Sequence, residues 1–134
     1  MNKLPKKKIL KKQKTRIPTS LKIGFREYRV KKASKEEASK ANYFGVTISE
    51  RNEIRLRTDV SDDELKSTLF HEYFHAALID FGMSSILSSK QTEQWCQFFS
   101  ACIMELARDP KNWKALQWAH EKGITLNLPE YEVP

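Results

Sequence analysis

The run from Leu69 to Ile79 constrains the fold of this chain more than any other stretch. Every residue in it is apolar or aromatic except His71, Glu72 and His75. A helix that is apolar nearly all round is normally buried, and imidazoles or carboxylates there are costly unless each has a partner. One metal ion would satisfy all three side chains, so the run predicts a buried helix with a metal site. The alternative is a chance pentapeptide whose histidines hydrogen-bond to backbone or water.

The spacing of the three polar residues indicates which role each would take. His71 and His75 are four residues apart, so on a helix both lie on one face and can bind the same ion. Glu72 can hold and deprotonate a water at that ion. The pattern is typical of one Zn²⁺, which needs at least one more protein ligand and a position left open for water.

Glu93 is the predicted third ligand. It opens the next predicted helix, 18 residues beyond His75, after a loop that lets this helix fold back over the first. The alternative is that Glu93 is there because acids are favoured in the first turn of any helix. Gln97, one turn further on, is a candidate hydrogen-bond partner of a ligand. Three further residues are possible but less well placed ligands: Asp80, Glu105 and His120.

Alternating apolar residues predict three strands, at 21–31, 43–48 and 53–57, and the first has a possible break in phase near Glu27. The last two form a hairpin across a turn at 49–52. One face of this hairpin is predicted to be apolar and to pack on a helix, and it comprises Phe44, Val46, Ile48, Ile54 and Leu56.

Four helices are predicted from residues that commonly cap helix N-termini. The predicted caps are Ser34, Ser61, Ser88 or Ser89, and Asp109. The resulting fold class is α+β, with a small antiparallel or mixed sheet of about three strands. This sheet is expected to pack on the H-E-x-x-H helix and on the ligand helix that follows it.

Charge divides the chain into a tail and a nearly neutral remainder. Residues 1–16 contain seven lysines and one arginine without any acid, whereas the remaining residues contain 16 basic and 17 acidic side chains. We predict a basic disordered tail over 1–20, a single domain over 21–123 and an extended segment over 124–134. The tail is suited to nucleic acid or an acidic partner, although it is equally typical of a solvated, self-repelling segment.

No apolar run approaches the roughly 20 residues that cross a membrane. The lysine-rich N-terminus is not followed by the apolar segment of a secretory signal. Cys96 and Cys102 are the only cysteines, and their spacing does not indicate a disulfide. We therefore expect a reducing, cytoplasmic location without a membrane partner. The sequence leaves the oligomeric state open.

The run from Thr68 to Leu78 also matches the wider zincin signature, which has uncharged residues around the pentapeptide. Over about residues 21–108 the chain resembles the compact, gluzincin-like metallopeptidases related to the ImmA/IrrE group, especially those of phages and prophages. The resemblance implies zinc bound by His71, His75 and Glu93, with Glu72 as general base. It also implies a protein or peptide substrate that pairs with a strand of the 43–58 hairpin, in a bacterial cell or a phage-infected host.

A second resemblance, to SprT-like proteases, is suggested by the basic tail, but those proteins usually offer a third histidine and none is suitably placed here. Three tyrosines are candidates by type for stabilising a transition state: Tyr28, Tyr43 and Tyr73. The predicted function is therefore a zinc-dependent metallopeptidase. One alternative is a non-catalytic binding protein that keeps the zincin fold and uses its basic tail. Another is a helical interaction module with an accidental H-E-x-x-H.

Overall fold

A four-stranded mixed sheet and four α-helices make up residues 17–123, the part of the chain described in our computed structural model. The fold is therefore of the predicted α+β class, although the sheet has one strand more than expected. The predicted segments 1–20 and 124–134 lie outside the described residues, apart from residues 17–20. The elements are β1 (Ser20–Ile23), β2 (Arg26–Ala33), α1 (Lys35–Ala41), β3 (Gly45–Ile48), β4 (Glu53–Arg57), α2 (Asp62–Asp80), α3 (Ser89–Arg108) and α4 (Pro110–Lys122).

The additional strand arises because the predicted strand 21–31 is a hairpin. The chain reverses at Gly24 and Phe25, and β1 pairs antiparallel with β2, with Ile23 opposite Arg26. Gly24 has a φ of 59°, a left-handed conformation that glycine adopts without steric cost. The prediction of one continuous strand was wrong, and the possible break in phase near Glu27 lies just after this turn.

The order of strands in the sheet is β1-β2-β4-β3. β2 and β4 are parallel neighbours, and the chain between them contains α1 and β3. β3 pairs antiparallel with β4, as predicted for the hairpin, and a short 3-10 turn over Ser49–Arg51 connects them. β3 is consequently an edge strand of the described sheet.

The predicted apolar face of this hairpin was wrong. In the observed register Thr47 lies opposite Ile54, and Gly45 lies opposite Leu56. Cross-strand partners share a face, so Ile54 and Leu56 lie with Gly45 and Thr47. Val46 and Ile48, the two apolar residues of β3, lie on the opposite face of the sheet.

The predicted helix caps are confirmed. The side chains of the four caps each accept a hydrogen bond from a backbone N–H in the first turn of the helix they precede. Ser88 forms a complete capping box with Gln91, and α3 therefore begins at Ser89, two residues earlier than predicted. Within residues 17–123, none of the helices is long and apolar enough to span a lipid bilayer.

The core lies between the sheet and α2. Burying each large side chain contributes about 1.5–3 kcal/mol relative to leaving it exposed. Small residues on the buried side of α2 let the helix approach the strands closely. The buried cluster comprises Ile23, Tyr28, Ile54, Leu56, Ala76 and Ala77.

A polar network fixes the C-terminal end of α2 against β2. Asp80 Oδ1 accepts hydrogen bonds from the Arg26 guanidinium and, at 3.1 Å, from the Tyr28 hydroxyl. The guanidinium also donates to the Asn52 side chain at 3.0 Å, in the turn before β4. α2 is thus held at one end by this network and along its length by apolar packing.

Candidate metal centre

The histidine pair of α2 converges as its spacing predicts. The Nε2 atoms of His71 and His75 lie 3.2 Å apart. The two side chains are only 18% and 19% exposed. One donor atom from each of these residues and from Glu72 lies within 4.8 Å of the others, a grouping able to hold a metal ion.

Glu93 reaches the same point from α3. Its Oε2 lies 3.1 Å from His71 Nε2, and its Oε1 lies 2.7 Å from His75 Nε2. Because α3 begins at Ser89, Glu93 lies beyond the first turn, which contains no acidic residue. The helix dipole acts within the first turn and therefore does not account for this acid.

α3 is placed by contacts that lie further along the helix. The hydroxyl of the buried Ser100 donates to the carbonyl oxygen of Ser67 on α2 at 2.8 Å. The rings of Phe74 and Phe99 pack with their centroids 5.1 Å apart. These contacts fix the rotation of α3 against α2, and the rotation directs Glu93 to the histidines.

The three side chains fit a zinc ion. In a tetrahedral site with bonds of about 2.0–2.1 Å, ligand atoms are separated by about 3.3 Å. The two histidine Nε2 atoms are 3.2 Å apart. Glu93 Oε2 lies 3.1 Å from His71 Nε2, and Glu93 Oε1 lies 2.7 Å from His75 Nε2. All three distances approach that value. Two imidazoles with one carboxylate are also a ligand set typical of catalytic zinc, which keeps a further position open.

Glu72 lies beside this group and is buried. Its Oε2 accepts a hydrogen bond of 2.7 Å from the Thr47 hydroxyl of β3. Burial raises the pKa of Glu72 above its ordinary value, and the Thr47 hydrogen bond and the charges of His75 and His71 oppose this rise. A carboxyl group whose pKa is raised toward neutrality is better suited to accept and return a proton.

Two residues of β3 at this site were not identified from the sequence. Thr47 Oγ1 also lies 3.0 Å from the backbone carbonyl oxygen of Glu72. Gly45 faces α2 so closely that a Cβ there would lie 2.6 Å from Thr68 Cγ2 and 3.0 Å from Glu72 Cγ. A glycine inside a predicted strand is a sequence sign of such a close approach, whereas nothing in the sequence indicated Thr47.

The alternative ligands take other positions. Asp80 pairs with Arg26 at the far end of α2. Glu105 is exposed and pairs with an arginine one turn along α3, and His120 is exposed on α4. Gln97 lines the same cleft as Glu93, and its contact with a ligand stays a prediction.

Of the three candidate tyrosines, Tyr28 has its hydroxyl engaged elsewhere, whereas the buried Tyr43 hydroxyl makes no hydrogen bond to the described residues. The Tyr28 hydroxyl donates to Asp80. Tyr43 lines the cleft, but its buried hydroxyl lies near Glu37, and burial together with that charge raises its pKa. Tyr73 packs against the buried core. A role for any of them in stabilising a transition state stays a prediction.

A cleft of about 430 Å³ opens beside the site. Residues 43–45 form one wall, α2 forms the floor, and Glu93 and Gln97 of α3 form the other wall. The cleft lining contains three carboxylates and no lysine or arginine, and the third carboxylate is that of Glu64 on α2. The start of an edge strand, the buried carboxyl group of Glu72 and two of the converging side chains, His71 and Glu93, therefore line one open cavity.

Comparisons of the chain with protein-family models, curated proteins and solved structures find no match.

Proposed function

We propose that this protein is a zinc-dependent metallopeptidase in which His71, His75 and Glu93 hold the metal and Glu72 is the general base. The observation that carries the proposal is the convergence of three donor atoms, from two helices, beside a buried carboxylate. A structural zinc site would be closed by a fourth protein ligand. Here two of the three side chains, His71 and Glu93, line an open cleft instead.

In the proposed reaction the metal and Glu72 have different roles. When bound, a zinc ion supplies Lewis acidity that activates water and polarises a carbonyl group. Glu72 Oε2 is occupied by the Thr47 hydroxyl, so Oε1 is the oxygen that we expect to accept the proton of the attacking water. The same carboxyl group then returns this proton to the leaving amine.

The position of β3 supports a peptide substrate. It is an edge strand, with β4 on one side and no further strand beside it in the described sheet. Residues just before and at its start line the cleft. An extended peptide can bind to such an edge through main-chain hydrogen bonds, which would place one of its carbonyl groups over the site.

Metal analysis together with a hydrolysis assay tests the proposal. We expect the purified protein to contain one equivalent of zinc and to cleave unfolded casein. Glu72→Gln should keep the zinc and lose the cleavage, whereas Glu64→Gln, a matched change on the same helix and in the same cleft, should keep both. His75→Ala should lose the zinc. Stoichiometric zinc without hydrolysis of any unfolded or peptide substrate would refute the peptidase function.

A second candidate function is favoured by the concentration of positive charge in residues 1–16. In this alternative the protein is a non-catalytic binding protein that keeps the zincin fold and engages nucleic acid or an acidic partner through its tail. Deleting residues 1–16 separates the two candidates. A peptidase should still hydrolyse its substrate without the tail. A tail-dependent binding protein should lose its affinity for nucleic acid or an acidic partner, and Glu72→Gln should leave that affinity unchanged.

A further inference from the structure

We infer that the edge strand β3 positions the general base, with Thr47 as the positioning residue and Gly45 as the residue that lets it reach. This inference rests on the proposed function, since it gives Glu72 the role of base. It extends the site to a strand that contributes no metal ligand.

The hydroxyl of Thr47 lies against two acceptors. Its Oγ1 is 2.7 Å from Glu72 Oε2 and 3.0 Å from the Glu72 carbonyl oxygen. A hydroxyl has one proton to donate, and a bond to an ionised carboxylate is shorter and stronger than one to a neutral carbonyl. The shorter distance is the one to the carboxylate, so the hydroxyl holds that oxygen and leaves Oε1 for the reacting water.

Thr47 is itself held rigidly. Its backbone pairs with β4 opposite Ile54, which is fully buried. A β-branched side chain has few accessible χ1 rotamers, so the sheet fixes the direction of the hydroxyl. The glutamate side chain has three torsions of its own and gains its orientation from this fixed partner.

Gly45 sets the distance between the strand and the helix. It lies two residues before Thr47 on the same face of β3, where a Cβ would be 2.6 Å from Thr68 Cγ2 and 3.0 Å from Glu72 Cγ. Real Cβ contacts at 2.6 Å are essentially never seen, and Thr68 has a short, stiff side chain that cannot swing away. Only glycine allows β3 to approach α2 closely enough for the hydroxyl to reach the carboxylate.

Thr47 is a positioning residue because it acts through Glu72 and is not part of the cleft lining. The strand that would hold an extended substrate therefore also orients the base. The distance between the scissile carbonyl and Glu72 is then set by one rigid element, which is the arrangement that proximity catalysis requires.

Thr47→Val tests the inference because it replaces the hydroxyl with a methyl group of similar shape. With quenched fluorescent casein we expect the maximal rate to fall by about 10- to 100-fold. The half-saturating casein concentration and the zinc content should stay unchanged. Thr47→Ser should restore most of the rate because it returns the hydroxyl, and Thr58→Val, the same change at an exposed position, should have no effect. A Thr47→Val rate within twofold of the parent protein overturns the inference.

A crystal structure of the zinc-loaded parent protein provides a readout that is independent of activity. We expect Thr47 Oγ1 within hydrogen-bonding distance of the Glu72 carboxylate, and a displaced or multiply oriented Glu72 in Thr47→Val. A separation above about 3.5 Å in the parent overturns the inference, even if Thr47→Val does not fold. If the parent binds zinc but cleaves nothing, the proposed function fails, and this distance alone decides whether β3 positions Glu72.

Discussion

Replacing Glu93 with glutamine separates a zinc ligand from an acid that only hydrogen-bonds to two histidines. In the zinc-free protein the change should be mild, because the Glu93 side chain is 57% exposed. Pairs this exposed contribute about 0–1 kcal/mol. The zinc-free protein should therefore unfold at nearly the same temperature as the parent.

With zinc present the same substitution should have a large effect. Free zinc at 100 times its dissociation constant stabilises the folded state by about 2.7 kcal/mol, which raises the Tm of a domain of this size by about 10 °C. Loss of a residue that merely supports a ligand weakens metal binding by about 10- to 100-fold, so loss of the ligand itself should reach at least the upper value. At that weakening the same zinc concentration equals the new dissociation constant, and the stabilisation falls to about 0.4 kcal/mol.

The assay is a thermal unfolding series with buffered zinc on chelator-treated protein. Glu105→Gln is the matched control, since Glu105 is an exposed acid on the same helix with no contact to the histidines. We expect the zinc-dependent rise in Tm to be complete in the parent and the control, and nearly absent in Glu93→Gln. A full rise in Glu93→Gln would show that the third ligand lies elsewhere.

Three further predictions concern stability and reactivity. Burial raises the pKa of Cys96 to about 12, so a thiol reagent should label only the exposed Cys102 quickly, and two equally fast thiols would contradict this burial. The hydrogen bond from Lys31 lowers the pKa of Glu53 below its ordinary 4.5. The stabilisation by the ionised form is therefore complete above that value and is lost as the pH falls through the folded-state pKa. In urea unfolding, Glu53→Gln should accordingly be less stable than the parent at about pH 7, and this deficit should shrink as the pH is lowered below 4.5. A deficit that does not change with pH would refute this linkage. Gly45→Ala should lower the unfolding free energy by about 1–3 kcal/mol, as overpacking does, and an unchanged urea midpoint would show that β3 shifts freely.

The helices and the histidine pair could be predicted because their determinants are local. Ser61 caps α2 through the backbone N–H of Glu64, three residues away, and the spacing of His71 and His75 fixes their shared face on any helix. The approach of Glu93 to the histidines could be predicted because the loop between the two helices is short and Glu93 lies near the start of the second helix. Each of these features lies within one element or across one connection.

Strand pairing is not local in this sense, and the errors lie there. The apolar alternation changes phase near Glu27, from Leu21, Ile23 and Phe25 to Tyr28 and Val30. This change alone does not distinguish a hairpin from one irregular strand. The parallel pairing of β2 with β4 joins residues 24 positions apart, such as Arg29 and Glu53. Neither pairing is encoded in the pattern of a single strand.

The face of β3 was misassigned because its two apolar residues lie on the face of the sheet that points away from α2. The prediction grouped the apolar Val46 and Ile48 with the buried residues of β4, as is typical of a sheet with one wet face. α1 instead reaches the second face, where Glu37 pairs with Arg55, and both apolar residues of β3 are half-buried there. Apolar character therefore does not report which face of β3 meets α2. The residues that do meet α2 are a glycine and a threonine, because a strand that must approach a buried carboxylate closely and bind it needs a small residue and a hydroxyl. At such a contact the informative residues of a strand are its least apolar ones.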